Sequence, residues 1–354
     1  MNVRTFWTSF LLLGLMGCAA TSPSGNQSAS QSAASQSNSP SASNKPKVVA
    51  SYSVLCDLTQ TIAQDTIDLK CLMPAGQDPH TYQPTPDDRK AIDAGALVLY
   101  GGYDFEPGII KLVKAAGNPA TKVAIHEIAV PKPIMGEHMG EHGGEHDHDQ
   151  DAPSLEAATK SEQKSETKSE MEADPHVWHN AQNGIAIVQV LQDKLSQIAP
   201  QNADLYRKNA KTLTDRLTKL DGWIKQSIAT IPVASRKLVT THDALTYYSV
   251  AYGLPIEGAL QGLSTDEKPT ATRIKALVDS IKGSKVPMIF AEITANPKLI
   301  ETVAKEANVK LSTKSIFADG LGEKASGAET YEQMLVSNTT TIVEGLGGQV
   351  PPKP

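Results

Sequence analysis

Hydrophobic positions follow two alternating rhythms from Lys47 to Ile128. Short apolar runs are separated by stretches in which apolar residues recur every three or four positions. The runs "KVVASYS", "TIDLKCLMP", "ALVLYGG" and "KVAIHEI" read as strands, and "LCDLTQTIAQD", "TPDDRKAIDAG" and "GIIKLVKAAG" as helices. The second helix has a well-marked start. Thr85 can cap it, Pro86 suits its first turn, and Asp87 and Asp88 lie at the positive end of its dipole. Such strand–helix alternation predicts a mostly parallel sheet flanked by helices.

The rhythm stops between residues 131 and 172. This stretch is charged, polar and without an apolar period, which predicts a mobile loop and no packed element. Periodicity returns at "DPHVWHNAQNGIAIVQVL". After a turn at Pro200, Leu205, Leu213, Leu217, Leu220, Ile224 and Ile228 recur at helical spacing. One helix over 201–228 would extend roughly 42 Å, a length explained by a spine joining two lobes. A second α/β set follows. "RKLVTT", "LPIEGAL", "VPMIFAE" and "VKLSTKSIF" read as strands. Helices are predicted near Ala244–Tyr252, Thr270–Ile281, Lys298–Ala307 and Tyr331–Glu344.

The first 46 residues differ from all of this. One basic residue, Arg4, precedes an apolar run from Phe6 to Met16, too short to span a membrane. A secretory signal over 1–17 fits it. The following "LMGC" resembles a bacterial lipobox, with Cys18 as the lipidated first residue of the mature chain; an ordinary signal peptide is the alternative. Residues 18–46 are nearly all Ser, Ala, Gln, Asn, Pro and Gly, a composition for a solvated tether. Cys56 and Cys71 remain, in "SVLCDLT" at a strand end and "DLKCLMP" in the next strand. In an exported protein they can form a disulfide or stay as two buried thiols. A net charge of −6, with few aromatics and no basic stripe, excludes nucleic acid as a partner.

Candidate chemistry lies in the histidines. "EHMGEHGGEHDHD" contains His138, His142, His146 and His148, four of the nine. Its glycines raise the entropy lost on ordering it around an ion. It can bind metal weakly and exchangeably but offers no preformed cage. Outside it, His80 follows one strand, His242 follows another, and His176 stands ahead of a helix; Asp319 also follows a strand. Ligands in open α/β sheets gather beyond the carboxyl ends of strands. Two residues from each half thus suggest a site in a cleft between lobes. "DPH" occurs twice, at Asp78–His80 and Asp174–His176, and its proline stiffens the approach to each imidazole. His126 and His179 have no comparable placement.

Together, "GQDPHTYQPTPDDRKAIDAGALVLYGG", "DPHVW", "THDALTYYSVAYGLP" and "IFADGLGEKASGAETYEQML" resemble the solute-binding proteins of bacterial ABC transporters for zinc and manganese. The resemblance runs from about Lys47 to Gly347, with the His-rich insertion as a variable region. It implies two α/β lobes, each with a mostly parallel sheet flanked by helices, joined by one long rigid helix with one metal ion in the cleft. It places an N-terminal lobe at 47–199, the joining helix at 200–230 and a C-terminal lobe at 231–354. It implies His80, His176, His242 and Asp319 as ligands, with Asp319 the position most open to replacement by water. His242 falls where zinc-type members have His and many manganese-type members have Glu. Three imidazoles and a carboxylate suit Zn²⁺; manganese sites offer more oxygen, and Mn²⁺ is the alternative. The His tract is then an accessory.

The expected protein is a monomeric, lipid-anchored, extracytoplasmic zinc carrier that delivers its ion to a membrane permease driven by an ATPase. A zinc hydrolase is disfavoured. "HEIAV" at His126 lacks the second histidine of H-E-x-x-H, and four protein ligands leave no place for a catalytic water. A surface adhesin or metal buffer is the remaining class.

Overall fold

The computed structural model describes residues 45–138 and 170–354. The signal, Cys18, the tether up to residue 44, and His142, His146 and His148 lie outside the described residues.

The N-terminal half opens with β1 (Lys47–Ala50), α1 (Ser53–Ala63), β2 (Asp68–Cys71) and α2 (Pro86–Ala94). It continues with β3 (Leu97–Tyr100), α3 (Pro107–Ala115), β4 (Thr121–Ala124) and α4 (Ile125–Ala129). The four strands pair in parallel in the order β2-β1-β3-β4. Val48, Val49, Ala50, Leu97, Val98 and Leu99 are all buried. These inner strands are covered on both faces, so they read as unbroken apolar runs. Thr85 and Asp88 close a reciprocal cap at the start of α2, each side chain accepting from the other's backbone N–H.

Three local expectations are corrected. "KVAIHEI" is strand only as far as Ala124; Ile125 and His126 begin α4. Both of those side chains are fully buried, whereas strand neighbours point to opposite faces. Cys56, read both within the helix "LCDLTQTIAQD" and at a strand end, lies in α1, because the chain turns into a helix directly after β1. It is disulfide-bonded to Cys71 with the Cα atoms 5.8 Å apart. Finally, the ends of the 131–172 stretch form an antiparallel ladder, β5 (Met135–His138) with β6 (Glu170–Ala173). Backbone bonds make such a ladder, so side-chain periodicity gave no sign of it. Ile134 N–H donates to the Tyr247 hydroxyl at 2.9 Å, and Asp174 N–H to the Ile134 carbonyl at 2.8 Å.

A 3₁₀ turn at Val177–His179 leads into α5 (Ala181–Ile198), capped by Asn180. The helix expected at 201–228 is α6 (Ala203–Ala229), about 40 Å long. Its buried stripe is Tyr206, Leu213, Leu217, Leu220, Ile224 and Ile228, with Tyr206 buried in place of Leu205. It lies against α1 and α5 and against the last helix, so it touches both halves.

The C-terminal half comprises β7 (Leu238–Thr240), α7 (Thr246–Tyr252), β8 (Ile256–Ala259) and α8 (Ala271–Ser284). It ends with β9 (Met288–Ile289), α9 (Pro297–Ala307), β10 (Lys310–Leu311) and α10 (Tyr331–Gly345). β7 pairs with β8 and β9 with β10, all in parallel. Phe290 N–H to Val239 O at 3.0 Å links the two pairs. A second apolar core built on Val239, Leu277, Ile281, Ile289 and Ile300 lies in this half, whose Tyr248, Phe290, Ile316 and Tyr331 join the first core instead. No helix among the described residues is long and apolar enough to cross a membrane.

Candidate metal centre

His80, His176, His242 and Asp319 each offer a donor atom, and all four donors lie within 4.8 Å of one another. They come from four segments held by different means. His80 sits on the loop between β2 and α2, its N–H bonded to Asp78 Oδ1 at 3.0 Å. The β5–β6 ladder leads into His176, whose N–H is bonded to Asp174 Oδ1 at 2.9 Å. In both copies of "DPH", therefore, the aspartate clamps the histidine two residues on. His242 follows β7. Thr241 N–H and His242 N–H both donate to Glu292 Oε1, at 3.0 and 3.1 Å. Asp319 follows the bridge of Ile316 to Glu292, and Asn338 pins the backbone at Phe317.

Carboxylates also fix the imidazole tautomers. His176 Nδ1 lies 2.8 Å from Asp174 Oδ1, and His242 Nδ1 is bonded to Glu292 Oε2. With Nδ1–H donated outward, each ring turns the bare lone pair of Nε2 inward. His176 Nε2 is 3.3 Å from His80 Nε2 and 3.4 Å from His242 Nε2. Asp319 Oδ1 faces the Nε2 atoms of His80, His176 and His242 at 3.6, 3.4 and 3.2 Å. Its other oxygen accepts from Thr294 Oγ1 at 2.8 Å. Five of the six donor separations, 3.2–3.6 Å, lie near the edge of about 3.3–3.4 Å of a tetrahedron with donors 2.0–2.1 Å from its centre, and the sixth, His80 to His242, is within 4.8 Å. Converging lone pairs repel unless a cation lies between them, so the donor set fits a metal ion. Phe105 and Trp178 pack against the rings and keep the surroundings apolar.

Burial lowers the proton affinity of His176 and His242, but neighbouring carboxylates outweigh it. Asp174 and Asp319 raise the pKa of His176, and Asp319 and Glu292 raise that of His242 well above the ordinary range. Burial pushes Asp319 upward, yet the three histidines hold it well below the usual carboxylate range. An incoming ion thus competes with protons on the imidazoles and meets a charged carboxylate. Metal affinity is expected to rise with pH across neutrality, and to fall as the pH drops. The expected slope is about tenfold per pH unit for each proton displaced. Chelator competition at several pH values checks this; a flat profile would contradict it.

His126 and His179 are buried outside the cluster. His126 Nε2 meets the Tyr52 hydroxyl at 2.7 Å, and His179 Nε2 donates to the Ala318 carbonyl at 2.8 Å. Burial, then the neighbouring His176, pushes both down to about 3, so they stay neutral. His138 ends β5. Sequence reasoning missed Asp174 and Glu292. The repeated aspartate of "DPH" and the glutamate closing "VPMIFAE" were the available signals.

Two α/β halves on a long shared helix, with a buried donor set between them, define a metal-binding solute-binding protein. The chain belongs to the ZnuA family, described as zinc-uptake complex component A, periplasmic, whose family model matches residues 48–345. It is 32% identical over 342 residues to the metal ABC transporter substrate-binding lipoprotein FimA of Streptococcus parasanguinis, covering 95% of each chain. It is 33% identical over 308 residues to the manganese ABC transporter substrate-binding lipoprotein PsaA of Streptococcus mitis, covering 85% of this chain and 89% of that one. Its fold is similar to the solved structure of the periplasmic zinc-binding protein TroA from Treponema pallidum. The TM-score is 0.72 at 28% identity, over 85% of this chain and 99% of that one. The chain is accordingly a metal ABC transporter substrate-binding protein, a transport component working with a permease and an ATPase.

Proposed function

We propose that the chain is a zinc carrier. It takes up one Zn²⁺ between an N-terminal lobe (47–199) and a C-terminal lobe (231–354) and hands it to its permease. His80, His176, His242 and Asp319 are the ligands. The observation that carries this reading is the convergence of three imidazole Nε2 atoms and one carboxylate oxygen, with five of their six separations at 3.2–3.6 Å. Three nitrogens and a carboxylate with one oxygen already engaged by Thr294 suit zinc better than manganese, which favours oxygen-rich sites. The zinc-uptake description of the family and the name of TroA support the same cargo. Manganese is the second reading, favoured by the name of PsaA.

The carrier works as a monomer outside the cytoplasm, anchored by lipid on Cys18. His138, His142, His146 and His148 form an accessory tract that gathers metal without being the transport site. Deleting the gene tests the transport role. The mutant is expected to need more zinc for growth in chelator-treated medium, and added zinc to restore it. Restoration by manganese alone would favour the second reading. An unchanged zinc requirement would favour a surface buffer or adhesin.

A further inference from the structure

One loop that supplies no donor holds the segments of all three histidines. Residues 261–267 ("QGLSTDE") follow β8. Gln261 N–H bonds to the Thr241 carbonyl and Asp243 N–H to the Gly262 carbonyl, both at 2.9 Å, on either side of His242. Leu263 lies so close to β5 that a Cβ on Gly136 would stand 2.8 Å from its Cδ2. β5 is the partner of the strand that runs into His176. Thr265 Oγ1 donates to Asp78 Oδ2 at 2.6 Å. Among the described residues it is the one bond to that oxygen from the other half, beside the local one from Thr81 Oγ1 at 3.0 Å. The other oxygen of that carboxylate accepts the His80 N–H. The loop is braced from within. Gln261 Nε2 bonds to the carbonyls of Thr265 and Glu267 at 2.6 and 2.8 Å, and Gly262 N–H to Glu267 Oε2 at 2.8 Å.

His80 is 6% exposed, whereas His176, His242 and Asp319 are fully buried. Of the four, His80 is the one that keeps any contact with solvent. The Thr265–Asp78 bond crosses from the C-terminal half to the N-terminal half beside it. We propose that this loop is a latch on the exit, and that Thr265 is a positioning residue. Through Asp78 it holds His80 in place and sets the rate at which the ion leaves. The proposal rests on reading the four residues as the metal site. Separating the halves for release breaks this bond, whereas the closed site keeps it, so its loss speeds departure.

The test uses full-length, zinc-loaded protein mixed rapidly with excess chelator. Thr265→Val keeps the shape but removes the donor, and Thr265→Ser keeps the donor. Thr265→Val is expected to release zinc about tenfold faster, as for the loss of one hydrogen bond to a charged acceptor. Thr265→Ser should release it at the wild-type rate, with all three proteins holding one tight ion after the weakly held ions of the His tract are washed out. A wild-type rate for Thr265→Val would overturn the latch, as would a Thr265→Ser rate as fast as that of Thr265→Val. Failure of the wild-type protein to load a tight ion would instead overturn the site assignment.

Discussion

Replacing His176 by alanine is expected to weaken zinc binding by roughly 100- to 1,000-fold. A structural zinc site is worth about 10–16 kcal/mol across four ligands, or about 2.5–4 kcal/mol for each. His176 is central to the set because its Nε2 faces the donor atoms of His80, His242 and Asp319 at 3.3–3.4 Å. Its removal also leaves the buried Asp174 carboxylate without the imidazole it orients. Chelator competition with the purified variant measures the loss. The matched control replaces His138, His142, His146 and His148 together, and its tight binding should be unchanged. An affinity within about tenfold of wild type for His176→Ala would contradict the ligand assignment.

Glu292→Gln should cost about 10- to 100-fold in zinc affinity although Glu292 does not touch the ion. The carboxylate accepts from two backbone N–H groups with one oxygen and from His242 Nδ1 with the other. Glutamine keeps the size and one carbonyl oxygen. If that oxygen serves the backbone donors, the amide NH₂ faces Nδ1 and forces it to accept. The imidazole proton then moves to Nε2, the atom that should bind metal. Thermal unfolding of the metal-free variant separates this effect from misfolding. Lost affinity with an unfolding temperature close to wild type is expected, and wild-type affinity would contradict the tautomer argument.

Different parts of this molecule were legible in the sequence for different reasons. β1 and β3 are apolar on both faces, and α6 carries a long stripe, so hydrophobic pattern alone revealed them. The β5–β6 ladder is held by backbone bonds, which side-chain periodicity cannot report. α4 was hidden because "KVAIHEI" stays apolar across the change from strand to helix. His80, His176, His242 and Asp319 were visible as residues beside predicted elements, with the family resemblance selecting them. The carboxylates behind them were not. Nothing local distinguishes Glu292 at the end of "VPMIFAE" from a surface glutamate; its role depends on β7 and β9 lying side by side. Thr265 is hidden for the same reason, since its partner Asp78 is 187 residues away.

The measurement that tests the central claim most directly is a titration of a protein lacking residues 139–169. An Asn-Gly turn in their place lets His138 and Glu170 stay paired across the β5–β6 ladder, and His142, His146 and His148 are removed. Zn²⁺ and Mn²⁺ are each titrated against a competing chelator. One tightly held zinc ion, with manganese bound far more weakly, is the result expected of a cleft built from His80, His176, His242 and Asp319. Loss of tight zinc binding would mean that the His-rich tract carries the affinity, and equal or tighter manganese binding would mean that the cargo is manganese.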